Sequence, residues 1–336
     1  MRIAVLADIH GNLPALEAVM LELEQLQPDM VVVNGDLING VPFTNAVLDR
    51  IIDAVRKDDW IIIRGNHEFY YLDFGTERAE PSSSDPNRWG GLHKVVREMR
   101  PEHGAYLATL PDERTFYLPN TEPIRFAHGV PGNNRTGFHA DQLEGKIAEK
   151  IVHVAESTFV SAHTHVQIDR QIRHAMGTDD ERSCHLINSG SIGIPLNGNP
   201  AAQFAVLESV SATVEPGGWQ CTHYSIPYDH RPVLEEYLHS GALEVGGVIG
   251  QLFYWELVTA MPEIILFHRW AYEQGLQPND DLNGTFQTYI ADTGREQYIR
   301  ENDPLGPSSL ASFASKRIFS TTTESQISVQ PSARNG

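Results

Sequence analysis

Cysteine is nearly absent: Cys184 and Cys221 are the only two in 336 residues, far apart and in no Cys-x-x-Cys spacing. That excludes a disulfide framework and a thiolate zinc site, and leaves two ordinary reduced thiols. Basic residues are scarce as well, 25 against 44 acidic ones for a net charge of -19. The balance argues against nucleic acid or an anionic membrane as partner, because both need a positive face, although a bound metal could still create a local positive spot. Long apolar runs are missing too. Only about five apolar residues precede Asp8, too few for a signal segment. The stretch 248–270 is interrupted by Glu256, Pro262, Glu263 and His268, well short of the roughly 20 clean residues of a membrane span. The expectation is a cytoplasmic protein with no membrane partner. What the chain does have is 41% apolar residues, enough for a substantial core.

The apolar residues open as a buried strand, Ile3-Ala4-Val5-Leu6-Ala7, that breaks into Asp8-Ile9-His10-Gly11-Asn12. A strand apolar on both faces belongs to a parallel sheet, and the C-terminal edge of such a sheet is where ligands bind. Leu13, Leu16, Val19, Met20 and Leu23 then recur at helical spacing up to Pro28. Met30-Val31-Val32-Val33 gives a second strand ending in Gly35-Asp36, and after a helix over 44–56 a third, Trp60-Ile61-Ile62-Ile63, ends in Gly65-Asn66-His67-Glu68. The polar tips at 8, 36 and 66 are 28 and 30 residues apart. That is the length of one right-handed βαβ unit, so they should lie side by side on one sheet edge.

The segment 73–104 departs from that edge, carries Trp89, and contains a helix around 92–99. It is either a lid or a surface insertion. Strands over 115–118 and 124–127, the latter ending in His128-Gly129, begin a second sheet. A helix over 143–154 and the strand 158–161 lead to His163-Thr164-His165, and 166–227 reads as all-β. Two sheets face to face with helices outside would be the economical packing, an α/β sandwich occupying 1–228. A helical appendage over 229–304 follows. Its Phe253, Trp255, Leu257, Phe267 and Trp270 put apolar surface almost all round, so it packs on the main domain or on another subunit of a homo-oligomer. From 305 to 336 the Ser, Thr, Pro and Gln content suggests a disordered tail.

Collected, the strand tips offer Asp8, His10, Asp36, Asn66, His128, His163 and His165. Singly each has a bland reading: a turn aspartate, a turn asparagine, a satisfied core histidine. Jointly those readings fail, because packing does not explain five of the 15 histidines at expected strand ends. Oxygen and imidazole without thiolate suits two divalent ions, with manganese, iron, zinc, nickel or cobalt all compatible and calcium not. A carboxylate between two cations can bridge them. Such a pair would share a hydroxide at neutral pH and clamp the oxygens of an in-line displacement at phosphorus.

Asp8-Ile9-His10, Gly35-Asp36, Gly65-Asn66-His67-Glu68, His128-Gly129 and His163-Thr164-His165 resemble, in order, the five blocks of the calcineurin-like metallophosphoesterases over about the first 210 residues. The stretch from Cys184 to Ser191 with Pro195 looks like that family's compact bacterial phosphodiesterase branch. The resemblance implies a β-sandwich flanked by helices. One metal would take Asp8, His10, Asp36 and His165, and the other Asp36, Asn66, His128 and His163, with Asp36 bridging. His67, expected as an imidazolium in an extended turn, would protonate the departing oxygen. Asn12, Arg64 and Arg135 are candidate substrate contacts, a surface ion pair being the alternative for either arginine. The phosphoprotein phosphatase branch carries an Asp-Arg pair where this chain has Asn39 and Gly40. A phosphodiester or nucleotide-type small phosphate ester is therefore the favoured substrate. A phosphomonoesterase or protein phosphatase, or a non-catalytic scaffold that binds proteins through the C-terminal helices, is the alternative.

Overall fold

The computed structural model describes residues 1–175 and 181–306, and its first strand, β1 (Arg2–Leu6), divides its side chains between two cores. Ile3 and Val5 enter the space between two sheets with Phe116, Phe126, Val160 and Ile187, while Ala4 and Leu6 pack under helices with Leu16, Val19 and Leu48. Alternation along an extended chain forces that split, and it is why the strand reads as apolar throughout.

Helix α1 (Leu13–Leu26) begins at Asn12, whose side chain accepts from Ala15 N, and crosses over to β2 (Met30–Asn34). Helix α2 (Thr44–Asp58) returns to β3 (Ile61–Ile63). There follow α3 (Asn66–Asp73), α4 (Pro86–Glu98) and α5 (Pro101–Ala108). The helix expected at 92–99 starts earlier and another follows it, because Pro86 and Pro101 each sit in a first turn, where a missing N–H costs nothing. The second half contains β4 (Glu113–Phe116), β5 (Ile124–Ala127), α6 (Glu144–Ile151), β6 (Thr158–Ser161), β7 (Ile168–Ala175), β8 (Glu181–Asn188), β9 (Ala202–Ser209) and β10 (Trp219–Ile226).

Among the described residues the strands form two sheets, in the orders β10-β9-β1-β2-β3 and β4-β5-β6-β8-β7. β1, β2 and β3 pair in parallel, as do β5, β6 and β8; antiparallel β9 and β10 extend the first sheet on the β1 side, and antiparallel β4 and β7 border the second on both sides. This is the expected α/β sandwich with helices outside. Parallel pairing matters for the site, since it brings the C-terminal ends of β1, β2 and β3 to one edge and those of β5 and β6 to the edge facing it.

The C-terminal helices are α7 (Arg231–His239), α8 (Ala242–Thr259), α9 (Glu263–Glu273), α10 (Leu282–Thr293) and α11 (Arg295–Asn302). Their core of Leu252, Trp255, Phe267 and Phe286 is continuous with Val41 and Ile194 of the sandwich, so much of the apolar surface seen in the sequence is spent within the chain. Leu305, at the start of the expected tail, is partly buried against this cluster, and residues 307–336 of that tail lie outside the described residues. No described helix is long and apolar enough to cross a membrane. Both cysteines are free thiols.

Candidate metal centre

Five of the seven residues singled out at the strand tips have left-handed backbone: Asp8 (φ 54), His10 (φ 50), Asp36 (φ 55), His163 (φ 69) and His165 (φ 58). A non-glycine residue pays for that conformation, and the tips pay repeatedly, which marks a functional rather than a packing constraint. The loops are zipped together by Asp8 N to Gly35 O at 3.0 Å and His10 N to Asp36 O at 2.9 Å. Gly65 is glycine for space: a Cβ there would fall 2.2 Å from Asp36 Oδ1. Asn66 and His67, expected in an extended turn, instead open α3. The cause is Glu68, whose buried carboxylate accepts from Gly65 N (2.7 Å), Asp36 N (2.9 Å) and Leu37 N (2.8 Å), capping the helix and tying two tips into one unit. Burial, then the nearby Asp36 charge, pushes its carboxyl up to about 7. A glutamate three residues past a glycine was legible as a cap; its second tie, to the Asp36 loop, was not.

The side chains converge in two overlapping sets. Asp8, His10, Asp36 and His165 each offer a ligand atom within 4.8 Å of the others, and so do Asp36, His128 and His163. His10 Nε2 lies 3.1 Å from His165 Nε2, and Asn66 Oδ1 lies 2.9 Å from both His128 Nε2 and His163 Nδ1. Three of the rings are aimed by their outer nitrogen: His10 Nδ1 donates to Asn39 O (2.7 Å), His128 Nδ1 to Asn34 O (2.8 Å) and His165 Nδ1 to Ile194 O (2.6 Å). That presents Nε2 inward, as metal-binding imidazoles require. Both carboxylate oxygens of Asp8 are buried and accept no hydrogen bond among the described residues. A buried carboxylate that accepts no hydrogen bond, set among inward-facing imidazole nitrogens, is what a cation would satisfy, so the donor set fits divalent metal.

Protonation in the cluster follows the same division. Burial opposes ionising Asp36 and Asp8, but the imidazoles beside them, His128 and His165 respectively, hold both carboxyls below the ordinary range. In return, and against burial, Asp36 pushes His128 up to about 10 and Asp8 raises His165. Burial lowers His10, and lowers His163 to about 4. Each set thus pairs one imidazolium with one carboxylate, at 3.1 Å for His128 and Asp36 and at 3.4 Å for His165 and Asp8.

His67 stands beside the cluster, its ring 4.6 Å from that of His10 and its Nε2 4.0 Å from Asp36 Oδ2. Its Nδ1 lies 3.0 Å from Asn39 Nδ2, which puts the hydrogen of the neutral ring on Nε2. Burial above all lowers His67 to about 3, which favours a neutral imidazole over the imidazolium expected there. Asn39 was not foreseen in this role. At Gly40 (φ 145) a Cβ would fall 3.0 Å from Ile194 Cδ1 and 3.1 Å from His10 Cβ, tight contacts on a backbone that favours glycine.

The three candidate substrate contacts fare differently. Asn12 spends its amide nitrogen on Gly193 O and the Tyr228 hydroxyl and its oxygen on the α1 cap, which leaves nothing for a substrate. Arg64 is taken by Asp112 at 2.5 Å and lies over the Phe69 ring. Arg135 stands 5.3 Å from the centre of the Tyr70 ring, next to the cluster, with Glu80 at 3.6 Å.

Residues 1–190 match the calcineurin-like phosphoesterase family. An uncharacterized protein of Methanocaldococcus jannaschii is 22% identical over 224 residues, 63% of this chain and 85% of that protein. A solved metallophosphoesterase from Sphaerobacter thermophilus aligns with a TM-score of 0.57 at 20% identity, covering 78% of this chain and 99% of its own. A hypothetical protein of Pyrococcus horikoshii aligns at 0.59 and 19% identity, covering 74% and 97%. At these identities the two structures speak to the fold.

Proposed function

This chain belongs to the calcineurin-like phosphoesterase family and is a metal-dependent hydrolase; from that premise we propose that it cleaves phosphodiester or nucleotide-type substrates with two divalent ions. Asp8, His10, Asp36 and His165 would hold one ion, and Asp36, Asn66, His128 and His163 the other. The observation that carries this reading is the presence of Asp36 in both ligand sets. Mixed oxygen and imidazole donors suit manganese, iron, zinc, nickel or cobalt. When bound, such ions supply a hydroxide at neutral pH and neutralise charge on phosphoryl oxygens.

The chain's own groups do the rest. Asn39 holds His67 with Nε2–H toward the cluster, where it can donate to the ester oxygen that departs. A substrate phosphate brings negative charge against the ring and raises its basicity; in the protonated form needed for general acid catalysis Nδ1 is also a donor, so the Asn39 amide must turn its oxygen toward it. Glu68 keeps the loops of Asp36 and Asn66 in register. Asn39-Gly40, standing where phosphoprotein phosphatases carry an Asp-Arg pair, supports a small ester over a phosphoprotein.

A turnover panel of alkyl and aryl phosphate mono- and diesters with each metal tests the reading, together with His67→Ala. Diesters should be preferred. The variant should lose about 100-fold or more on alkyl esters and much less on nitrophenyl esters, whose leaving group needs no proton. Monoester preference, or a loss independent of the leaving group, would refute the corresponding part.

A further inference from the structure

Outward from the cluster runs a row of rings that the hydrolytic chemistry does not use. His67 lies 5.3 Å from Tyr70, and Tyr70 lies 5.0 Å from Trp89, both edge to face. Both aromatic residues are only partly buried. Arg135 comes to Tyr70 from a separate loop. Three segments thus place one ring against His67 and, against that ring, a second ring and a cation.

The outer ring is held rather than draped. Trp89 breaks the helical backbone of α4 (φ -117, ψ 23), and its indole N–H donates to Ser82 Oγ at 2.9 Å. The next residue, Gly90, lies so close to α8 that a Cβ would fall 1.8 Å from Val245 O. The C-terminal helices therefore set the position of Trp89, one ring out from His67. An aromatic residue fixed at both its indole and its backbone, yet partly open to solvent, is pre-organised for a planar partner.

We propose that Tyr70 and Trp89 form a subsite for a planar aromatic ring, a nucleobase, on one arm of the phosphate ester, with Arg135 countering the negative charge beside it. Stacking between a base and an aromatic side chain tolerates any base, so the subsite selects nucleoside esters as a class. The assignment rests on the phosphoesterase reading above and names the substrate class of that site.

Two methyl esters decide it, thymidine 5′-methyl phosphate and its abasic deoxyribose counterpart, with turnover by the full chain followed by phosphorus NMR. The wild type should prefer the nucleoside ester by about ten-fold or more in kcat/KM, within what loss of one base stack costs. Trp89→Leu should abolish that preference and Trp89→Phe should keep most of it. Equal rates in the wild type, or a Trp89→Leu loss of the same factor on both esters, would overturn the subsite and leave Trp89 as packing. If neither ester turns over with any metal, the hydrolytic reading fails by itself. Titrating thymidine against tryptophan fluorescence then reads the subsite alone: saturable quenching in the wild type that Trp89→Leu removes upholds it, and identical traces refute it.

Discussion

Asp8 and Glu263 are both fully buried, one at a strand tip of the sandwich and one in the C-terminal helices, and their surroundings are opposite. Glu263 has Arg295 at 2.5 Å and the Thr259 hydroxyl at 2.8 Å, whereas neither oxygen of Asp8 accepts a hydrogen bond among the described residues. Glu256 takes a third course. One of its oxygens accepts from Ile264 N at 3.2 Å, and burial pushes its carboxyl up to about 8, so it is buried neutral. A carboxylate out of water must be paired, protonated or bound to metal. The helices use the first two ways, which close a site, and the strand tips leave room for the third, which opens one.

The largest effect should come from removing the carboxylate shared by both ligand sets. Asp36→Asn should lower metal content in both sets and abolish turnover, while Asp8→Asn should reduce only the set that contains Asp8. Metal analysis per chain separates the two, and an Asp36→Asn protein that keeps full metal would break the comparison at its centre. Next in size is the closed pair. Arg295→Met leaves Glu263 buried without its partner and should cost about 3 kcal/mol, read by chemical denaturation. A negligible loss would mean that the Glu263–Arg295 pair adds nothing to the fold. The third effect is a slope in pH. The folded state keeps the Glu256 proton up to about pH 8, whereas the unfolded chain releases it near 4.5, so the folded state binds more protons across that window. Stability from this group is therefore full below about pH 4.5 and declines as pH rises to about 8. Glu256→Gln should remove that part of the decline, and melting curves that stay parallel to the wild type at every pH would show Glu256 ionised in the fold.

The ligand blocks, the βαβ spacing of the first three strands and the sandwich with its flanking helices were all readable from residue order. Periodicity and motif spacing are local properties, and a right-handed crossover of some thirty residues leaves the strand tips little choice but to adjoin. The second tie of Glu68, the Asn39–His67 contact and the row from His67 to Trp89 were not readable. Each joins residues separated by other elements, and nothing in the order of residues distinguishes a glutamate that caps its own helix from one that also holds a neighbouring loop.

By itself, then, the sequence determined which side chains end the strands and that they carry oxygen and imidazole donors. Tertiary structure alone decided that five of those residues turn left-handed, that the Asp8 oxygens accept no hydrogen bond among the described residues while Glu263 meets an arginine and a hydroxyl, and that α8 sets Trp89 against Tyr70. The physical reason is that strand and helix propensity act within a few residues. The cost of a buried charge, by contrast, is settled only by whatever the folded chain brings within a few ångströms of it.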